Sequence, residues 1–110
     1  MVGEREALAL LGDELGIALQ RNLEQTRESG GDCVHIKGWI LEIKRCEKLC
    51  IPAWWRQAVR QAEGKGEPML LYRQSRKPWT ALIHTANGAY RTATIQEAAG
   101  AIREKWLRWP

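Results

Sequence analysis

The chain has 110 residues, which suits one domain with a modest hydrophobic core and is short for two domains. Its hydrophobic content of 45% is close to that of globular proteins, which excludes wholesale disorder. A membrane-spanning helix needs roughly 18 or more consecutive apolar residues, and the sequence has no such run. The formal net charge of +4 is mild.

The N-terminal residues give no sign of secretion, because residues 1–5 lack a charged segment followed by an apolar one. We therefore expect a cytoplasmic protein. Cys33, Cys46 and Cys50 lack paired Cys-x-x-Cys spacing, so we interpret them as reduced thiols. Zinc bound by these cysteines with His35 is the alternative, but no second close pair completes a four-ligand site.

Residues 4–15 are predicted to form the first helix. Leu8 and Leu11 belong to an apolar stripe at helical spacing, and Gly16 stands where a helix-ending glycine belongs. Residues 17–23 alternate loosely and are predicted to form a strand.

The polar segment 25–31 ends in two glycines and is predicted to be a loop that leads to Asp32. Arg27 and Ser29 in this loop are candidates for phosphate contacts, and the alternative is that they are ordinary loop residues.

The alternating run from Trp39 to Arg45 is predicted to be a β-strand. In a strand, residues two apart share a face, so Glu42 and Lys44 point one way and the apolar side chains point the other. A turn at Lys37-Gly38 would fold the preceding segment back as a hairpin. Asp32 would then lie beside Glu42 near the same sheet edge.

Two carboxylates and a lysine at one edge of a sheet suit metal-dependent hydrolysis. Mg²⁺ prefers carboxylate oxygens and keeps several waters, which leaves positions for phosphate oxygens and an attacking water. Lys44 could orient that water or stabilise developing phosphate charge. The alternative is a salt bridge between Glu42 and Lys44 on a solvated strand, which contributes little to stability.

The segment from Pro52 to Gly64 carries the second predicted helix, with proline in its first turn and glycine just beyond its end. Trp55 is predicted to pack in the core, and Trp54 less firmly, with stacking on nucleic-acid bases as the alternative. Between Lys37 and Arg60 the sequence has six basic residues and two acidic ones, so positive charge gathers around the proposed site. Such a surface suits a polyanion such as DNA or RNA, and the alternative is that solvated helix and strand faces give this count by chance.

Residues 69–74 and 79–84 are predicted to be strands joined by a turn. Arg73, Arg76 and Lys77 gather at the tip, where they either hold phosphate or are solvated turn charges.

A last helix is predicted to begin at Thr94, because Glu97 three residues later completes a capping box. Residues 86–94 are expected to link this helix to the sheet. The predicted order is helix, three strands, helix, two strands and helix. This order indicates a mixed sheet flanked by helices, of the α/β or α+β class.

The residues around the central motif match more than a short pattern. The matched segments are 21–27 (RNLEQTR), Gly31-Asp32, Glu42-Ile43-Lys44-Arg45, 52–58 (PAWWRQA), Tyr72-Arg73-Gln74 and Pro78-Trp79. On these segments, from Gly3 to His84, the chain resembles small phage and prophage endonucleases of the PD-(D/E)XK superfamily, which are similar to archaeal-type Holliday junction resolvases. Gly31 replaces the proline in the motif's name. The basic tail segments of some resolvases are missing, so the resemblance does not extend to specificity for DNA junctions.

The resemblance implies a single PD-(D/E)XK nuclease-like domain over residues 1–110, with a restriction-endonuclease-like mixed five-stranded sheet flanked by helices. It implies an endodeoxyribonuclease that uses Mg²⁺ or Mn²⁺, with either one or two ions. Duplex or branched DNA is the expected substrate, and RNA remains an alternative. The expected assembly is a homodimer, in the host cytoplasm if the protein is phage-encoded.

Carried over by position, the resemblance also assigns site residues. Asp32, Glu42 and Lys44 match the central catalytic residues, and the metal would be held by Asp32, Glu42 and the backbone carbonyl of Ile43. The first-helix acid is Glu4 or Glu6, and Gln57, with Gln61 as a weaker candidate, would support the site or contact DNA. The candidate DNA-contacting residues are Arg27, Ser29, Arg45, Arg56, Arg60, Arg76 and Lys77.

Two other classes of function remain. One is a catalytically silent module that keeps the nuclease fold and binds nucleic acid through its basic face. Intact Asp32, Glu42 and Lys44 count against it, because a silent copy has no chemical need for all three. The other is an interaction domain that self-associates through its tryptophan-rich helix and C-terminus.

Overall fold

In the computed structural model, helices lie at both ends of the described chain, and a further helix separates two groups of strands. The structure describes residues 2–17, 19, 33–36, 38–45, 48–86 and 89–108, with the backbone alone for 2–4, 33–35 and 106–108. The elements are α1 (Val2–Leu15), β1 (Cys33–Ile36), β2 (Trp39–Arg45), α2 (Ile51–Ala62), β3 (Glu67–Arg73), β4 (Thr80–His84), β5 (Tyr90–Ala93) and α3 (Ile95–Arg108). None of the described helices is long and apolar enough to cross a membrane.

The strands form one mixed sheet in the order β1-β2-β3-β4-β5. The β1–β2, β3–β4 and β4–β5 pairs are antiparallel, whereas β2 and β3 are parallel. A parallel pair needs a crossover, and α2 supplies it. The β1–β2 turn contains Gly38 at a φ of 81°, a conformation that glycine adopts without steric cost.

The sheet is covered on both faces. Leu11 of α1 and Ile102 of α3 share a core cluster with Leu41 and Leu71 on one face, which we call the α1–α3 face. On the other face, the α2 face, Trp55 and Ala58 form a cluster with Leu70 and Leu82. Successive side chains of a strand point to opposite faces. Leu41 of β2 therefore belongs to the cluster of the α1–α3 face, whereas Ile40 points to the α2 face and packs with Ala62 of α2.

Four predicted helix boundaries are confirmed. Gly16 follows α1 at a φ of 75°, and Gly64 follows α2 at a φ of 76°. Pro52 lies in the first turn of α2. At α3 the capping box is formed: the Thr94 N–H donates to Glu97 Oε1 at 2.9 Å, and the Glu97 N–H donates to Thr94 Oγ1 at 3.0 Å.

The predicted α+β class is confirmed, but the predicted set of strands is only partly right. Four strands coincide with β1 to β4, whereas β5 lies in the segment predicted to be a linker. Ala93 is the single buried residue of β5, so its sequence lacks the apolar alternation that identifies a strand. Of the strand predicted over residues 17–23, Ile17 and Leu19 are not in a strand, and the remainder is outside the described residues.

Candidate active site

Glu42 is a buried acid in the middle of β2. Its exposed fraction is 2%, and it is paired in register with the apolar Leu70 of β3 on the α2 face. Acidic side chains are rarely buried to this extent, because an ionised carboxylate loses its hydration when it leaves water. The alternative interpretation was a salt bridge between Glu42 and Lys44 on a strand exposed to solvent. The burial of Glu42 does not agree with an exposed strand.

Lys44 lies on the same face of β2 as Glu42, closer to the strand's C-terminal end. Its Nζ is 3.8 Å from Glu42 Oε1, and its side chain is 30% exposed. This separation is too long for a hydrogen bond but close enough for a strong electrostatic attraction. The pair thus places a carboxylate inside the protein and an ammonium at the rim above it.

The C-terminal ends of β2 and β3 lie at one edge of the sheet, because these strands are parallel. We call this edge, with the β3–β4 turn, the carboxyl edge. At the carboxyl edge β1 begins with Cys33, whose Cα is paired with that of Glu42. Asp32 directly precedes Cys33 in the chain but lies outside the described residues, as do the two loop candidates, Arg27 and Ser29.

The rings of α2 define its orientation over the sheet. Trp54 contacts Tyr72 of β3 with ring centroids 6.1 Å apart, whereas Trp55 contacts His84 and Tyr90 of β4 and β5. The Trp55 side of the helix therefore lies over β4 and β5, and the opposite flank lies towards β2.

Helical spacing places Gln57 and Gln61 on the flank of α2 towards β2. Both are half-buried there. Because α2 follows the end of β2 and precedes the start of β3, Gln57 is nearer the carboxyl edge than Gln61 is. The structure thus brings Gln57 to the side of the sheet that carries Glu42 and Lys44.

The predicted DNA-contacting residues of the described chain are all exposed but are not all together. Arg45 ends β2 and, with Arg76 and Lys77 of the β3–β4 turn, lies at the carboxyl edge. Arg56 and Arg60 lie on the outer side of α2. The carboxyl edge therefore combines the Glu42–Lys44 pair with the exposed cations of the strand end and the turn.

Glu4 and Glu6 are the two candidates for the acid of the first helix. Glu6 Oε1 accepts hydrogen bonds from the Trp79 indole N–H at 3.0 Å and from the Arg73 guanidinium. Arg73 is two residues beyond Leu71 in β3, so these contacts lie on the α1–α3 face. Glu6 therefore lies on the opposite face of the sheet from Glu42. For Glu4, the structure describes the backbone in α1 but not the side chain.

The sequence did not indicate the contacts of Glu6. Arg73 is 67 positions away from Glu6 in the chain, and Trp79 is 73 positions away. Local periodicity carries no information about pairs so far apart. The one available signal was that Arg73 and Trp79 both fall within segments that carry the family resemblance.

The contacts of Glu6 are expected to make the free energy of unfolding depend on pH. The Trp79 indole N–H, the Arg73 guanidinium and the charge of Arg45 lower the pKa of Glu6 from its ordinary value of 4.5, against an opposing effect of desolvation. A carboxyl with a lowered pKa in the folded state stabilises the protein above its unfolded-state pKa, and this contribution disappears as the pH falls through the folded-state pKa.

We expect the free energies of unfolding of the wild type and of Glu6→Gln to differ at neutral pH and to converge below pH 4.5. Urea titrations at several pH values measure this difference. A gap between the two proteins that stays constant through the acid range would contradict the prediction.

Metal-ligating side chains do not cluster within the part of the chain that the structure describes: no group of three or more His, Cys, Asp or Glu occurs there. Asp32, the second predicted carboxylate ligand, is outside that part. The chain matches no protein-family model, no curated protein and no solved structure.

Proposed function

We propose that this protein is a metal-dependent DNA endonuclease that hydrolyses phosphodiester bonds in duplex or branched DNA. The observation that carries the proposal is the buried Glu42 carboxylate with the Lys44 ammonium 3.8 Å away at the carboxyl edge. A buried acid beside a partly exposed cation, in the D…E-x-K spacing, suits phosphodiester chemistry better than it suits a stabilising role at the surface. The resemblance to PD-(D/E)XK endonucleases implies a restriction-endonuclease-like fold. The mixed sheet covered by helices on both faces is compatible with such a fold.

The residues present fit Mg²⁺ or Mn²⁺. The buried Glu42 carboxylate offers the hard oxygen donors that these ions prefer. Asp32 and the Ile43 carbonyl would complete the protein ligands, and the β1–β2 register starts one residue after Asp32, opposite Glu42. Such an ion, when bound, lowers the pKa of a coordinated water and neutralises phosphate charge.

Lys44 has a separate task in this mechanism. Its ammonium is held above Glu42 by their attraction and has three N–H groups to donate. From the rim it would orient the attacking water for in-line displacement or donate to a phosphate oxygen as negative charge develops there. Gln57, on the adjacent flank of α2, would support this arrangement by donating or accepting a hydrogen bond at the site.

Substrate binding would use the exposed cations of the carboxyl edge. Arg45, Arg76 and Lys77 are exposed there and would neutralise backbone phosphates. Such contacts orient a nucleic acid without reading its sequence. We expect a two-fold homodimer, since two copies of a small domain can then address the two strands of a duplex.

The test is a cleavage assay on purified protein. Linear, nicked and four-way-junction DNA, with an RNA duplex for comparison, are incubated with Mg²⁺, Mn²⁺ or EDTA, beside the Asp32→Ala variant. We expect metal-dependent cleavage of DNA by the wild type, none in EDTA, and little by the variant. No cleavage of any substrate, or equal cleavage by the variant, would overturn the proposal.

The alternative of a silent binding module gives a different result in the same assay. It predicts that DNA binds without being cut, and that binding weakens as salt rises because phosphate contacts release counterions.

A further inference from the structure

Arg73, the last residue of β3, binds two partners at once. Its Nε donates to the backbone carbonyl of Lys77 at 2.9 Å, across the β3–β4 turn. Its Nη1 donates to Glu6 Oε1 of α1. The planar guanidinium suits this task, because its N–H groups point in fixed directions towards separate acceptors.

Glu6 extends this connection to a further strand. The same Oε1 atom accepts the indole N–H of Trp79, which directly precedes β4. Four parts of the fold are thereby joined: α1, the end of β3, the β3–β4 turn and the start of β4. We call this set of contacts, made by Glu6, Arg73, Trp79 and the Lys77 carbonyl, the Glu6 latch.

The turn that the latch holds has an unfavourable backbone conformation. Arg76 has a φ of 65°, the left-handed region that residues other than glycine rarely adopt. Within the turn, the Lys77 N–H donates to the Gln74 carbonyl at 3.2 Å. The Arg73 hydrogen bond to the Lys77 carbonyl adds a fixed point on the far side of Arg76. Arg76 therefore lies between Gln74 and Lys77, which are joined to each other, and Lys77 is also joined to Arg73 at the end of β3.

We infer that Glu6 and Arg73 are positioning residues for nucleic-acid binding: they hold the β3–β4 turn so that Arg76 and Lys77 face the substrate, and Arg73 is not itself a phosphate ligand. This inference rests on the proposed function, since it assigns a role to the DNA-binding turn. It replaces the expectation that Arg73, Arg76 and Lys77 act alike at the hairpin tip.

Holding the β3–β4 turn in one conformation affects the affinity for phosphate. A turn held in its binding conformation before the encounter loses less conformational entropy when phosphate binds. Without the latch the same cations can still reach phosphate, but only in the fraction of molecules whose turn is in the correct conformation. The apparent affinity falls, whereas the number of phosphate contacts in the complex does not.

The sign of one substitution separates this role from simple electrostatics. Glu6→Ala removes a negative charge, so charge alone predicts tighter binding to DNA. The latch predicts weaker binding, because Arg73 and Trp79 both lose their shared acceptor. We expect a loss of about two- to tenfold, the size of one net hydrogen-bond contribution to the ordering of the turn. Asp13→Ala is the matched control, because it removes the same charge from an exposed position of the same helix.

The binding measurements use a fluorescent DNA duplex with EDTA present, at several salt concentrations. We expect Glu6→Ala to bind more weakly than Asp13→Ala with an unchanged salt slope, whereas Arg76→Ala, which loses a phosphate contact, lowers the slope by about 0.9. Glu6→Gln, which keeps the acceptor oxygen, should recover most of the affinity. Arg73→Lys should also weaken binding, since an ammonium keeps the charge but not the fixed two-way geometry.

A second measurement does not need DNA. In ¹H–¹⁵N NMR spectra of the full chain, Glu6→Ala should shift the Trp79 indole resonance and speed hydrogen exchange at the Lys77 amide, and Asp13→Ala should change neither. The inference is overturned if Glu6→Ala binds DNA as tightly as Asp13→Ala, if Glu6→Gln is no better than Glu6→Ala, or if the NMR signals do not respond. If the wild type binds no DNA, the proposed function fails and the inferred binding role fails with it, while the NMR result still decides whether the latch holds the turn.

Discussion

Replacing Glu42 by glutamine is expected to lower metal-dependent DNA cleavage by about 10²- to 10³-fold, the usual cost of removing one electrostatic contact that acts on the transition state. The glutamine side chain has nearly the same shape, but it lacks the charge that a divalent cation requires. Single-turnover cleavage rates at saturating Mg²⁺ measure the effect, since product release does not limit them.

The fold should tolerate this substitution. Glu42 is buried, and a neutral isostere carries a smaller desolvation cost than a carboxylate does. Lys44 retains contact with water, because its side chain is partly exposed. A thermal melt close to that of the wild type would show that the loss of activity is not a loss of folding.

Glu63→Gln is the matched control, because Glu63 is an exposed acid that directly follows α2. It makes the same chemical change away from the carboxyl edge, so its cleavage rate should equal that of the wild type. If Glu42→Gln also cleaves at the wild-type rate, the assignment of Glu42 to the metal site is wrong.

Leu11→Ala is expected to destabilise the protein by about 2–5 kcal/mol, the range observed for truncating a leucine in a close-packed core. Leu11 is fully buried on α1, within the cluster that contains Leu41 and Ile43 of β2. Those residues alternate with Glu42 and Lys44 along the strand, so the α1 packing supports the strand that carries the candidate site. Urea denaturation at neutral pH measures the change.

The neighbouring leucine provides the control. Leu10 is 42% exposed on the same helix, and Leu10→Ala makes an identical chemical change with an expected effect within about 0.5 kcal/mol. A similar loss of stability in the two variants would contradict the assigned position of α1. In thermal melts Leu11→Ala should lower Tm by at least about 8 °C, since 1 kcal/mol shifts Tm by about 4–8 °C in a domain of this size.

Much of the local structure was predictable because its causes are local. Glycines in the left-handed conformation end α1 and α2, and Thr94 with Glu97 caps α3, as their spacing indicates. The alternation of β2 assigned its two faces correctly, because side-chain direction in a strand follows from position alone. The strand β5 was missed because an edge strand with one buried residue lacks that alternation.

The sequence by itself determined the identity and spacing of the candidate site residues: an acid and a lysine two apart on one strand, preceded by a hairpin that begins next to Asp32. Only the tertiary structure decided their environment. Glu42 is buried on the face of the sheet that α2 covers, whereas the contacts of Glu6 with Arg73 and Trp79 hold Glu6 on the opposite face. The physical reason is that periodicity specifies which way a side chain points, while burial and charge pairing depend on residues far away in the chain, and these meet only when the chain folds.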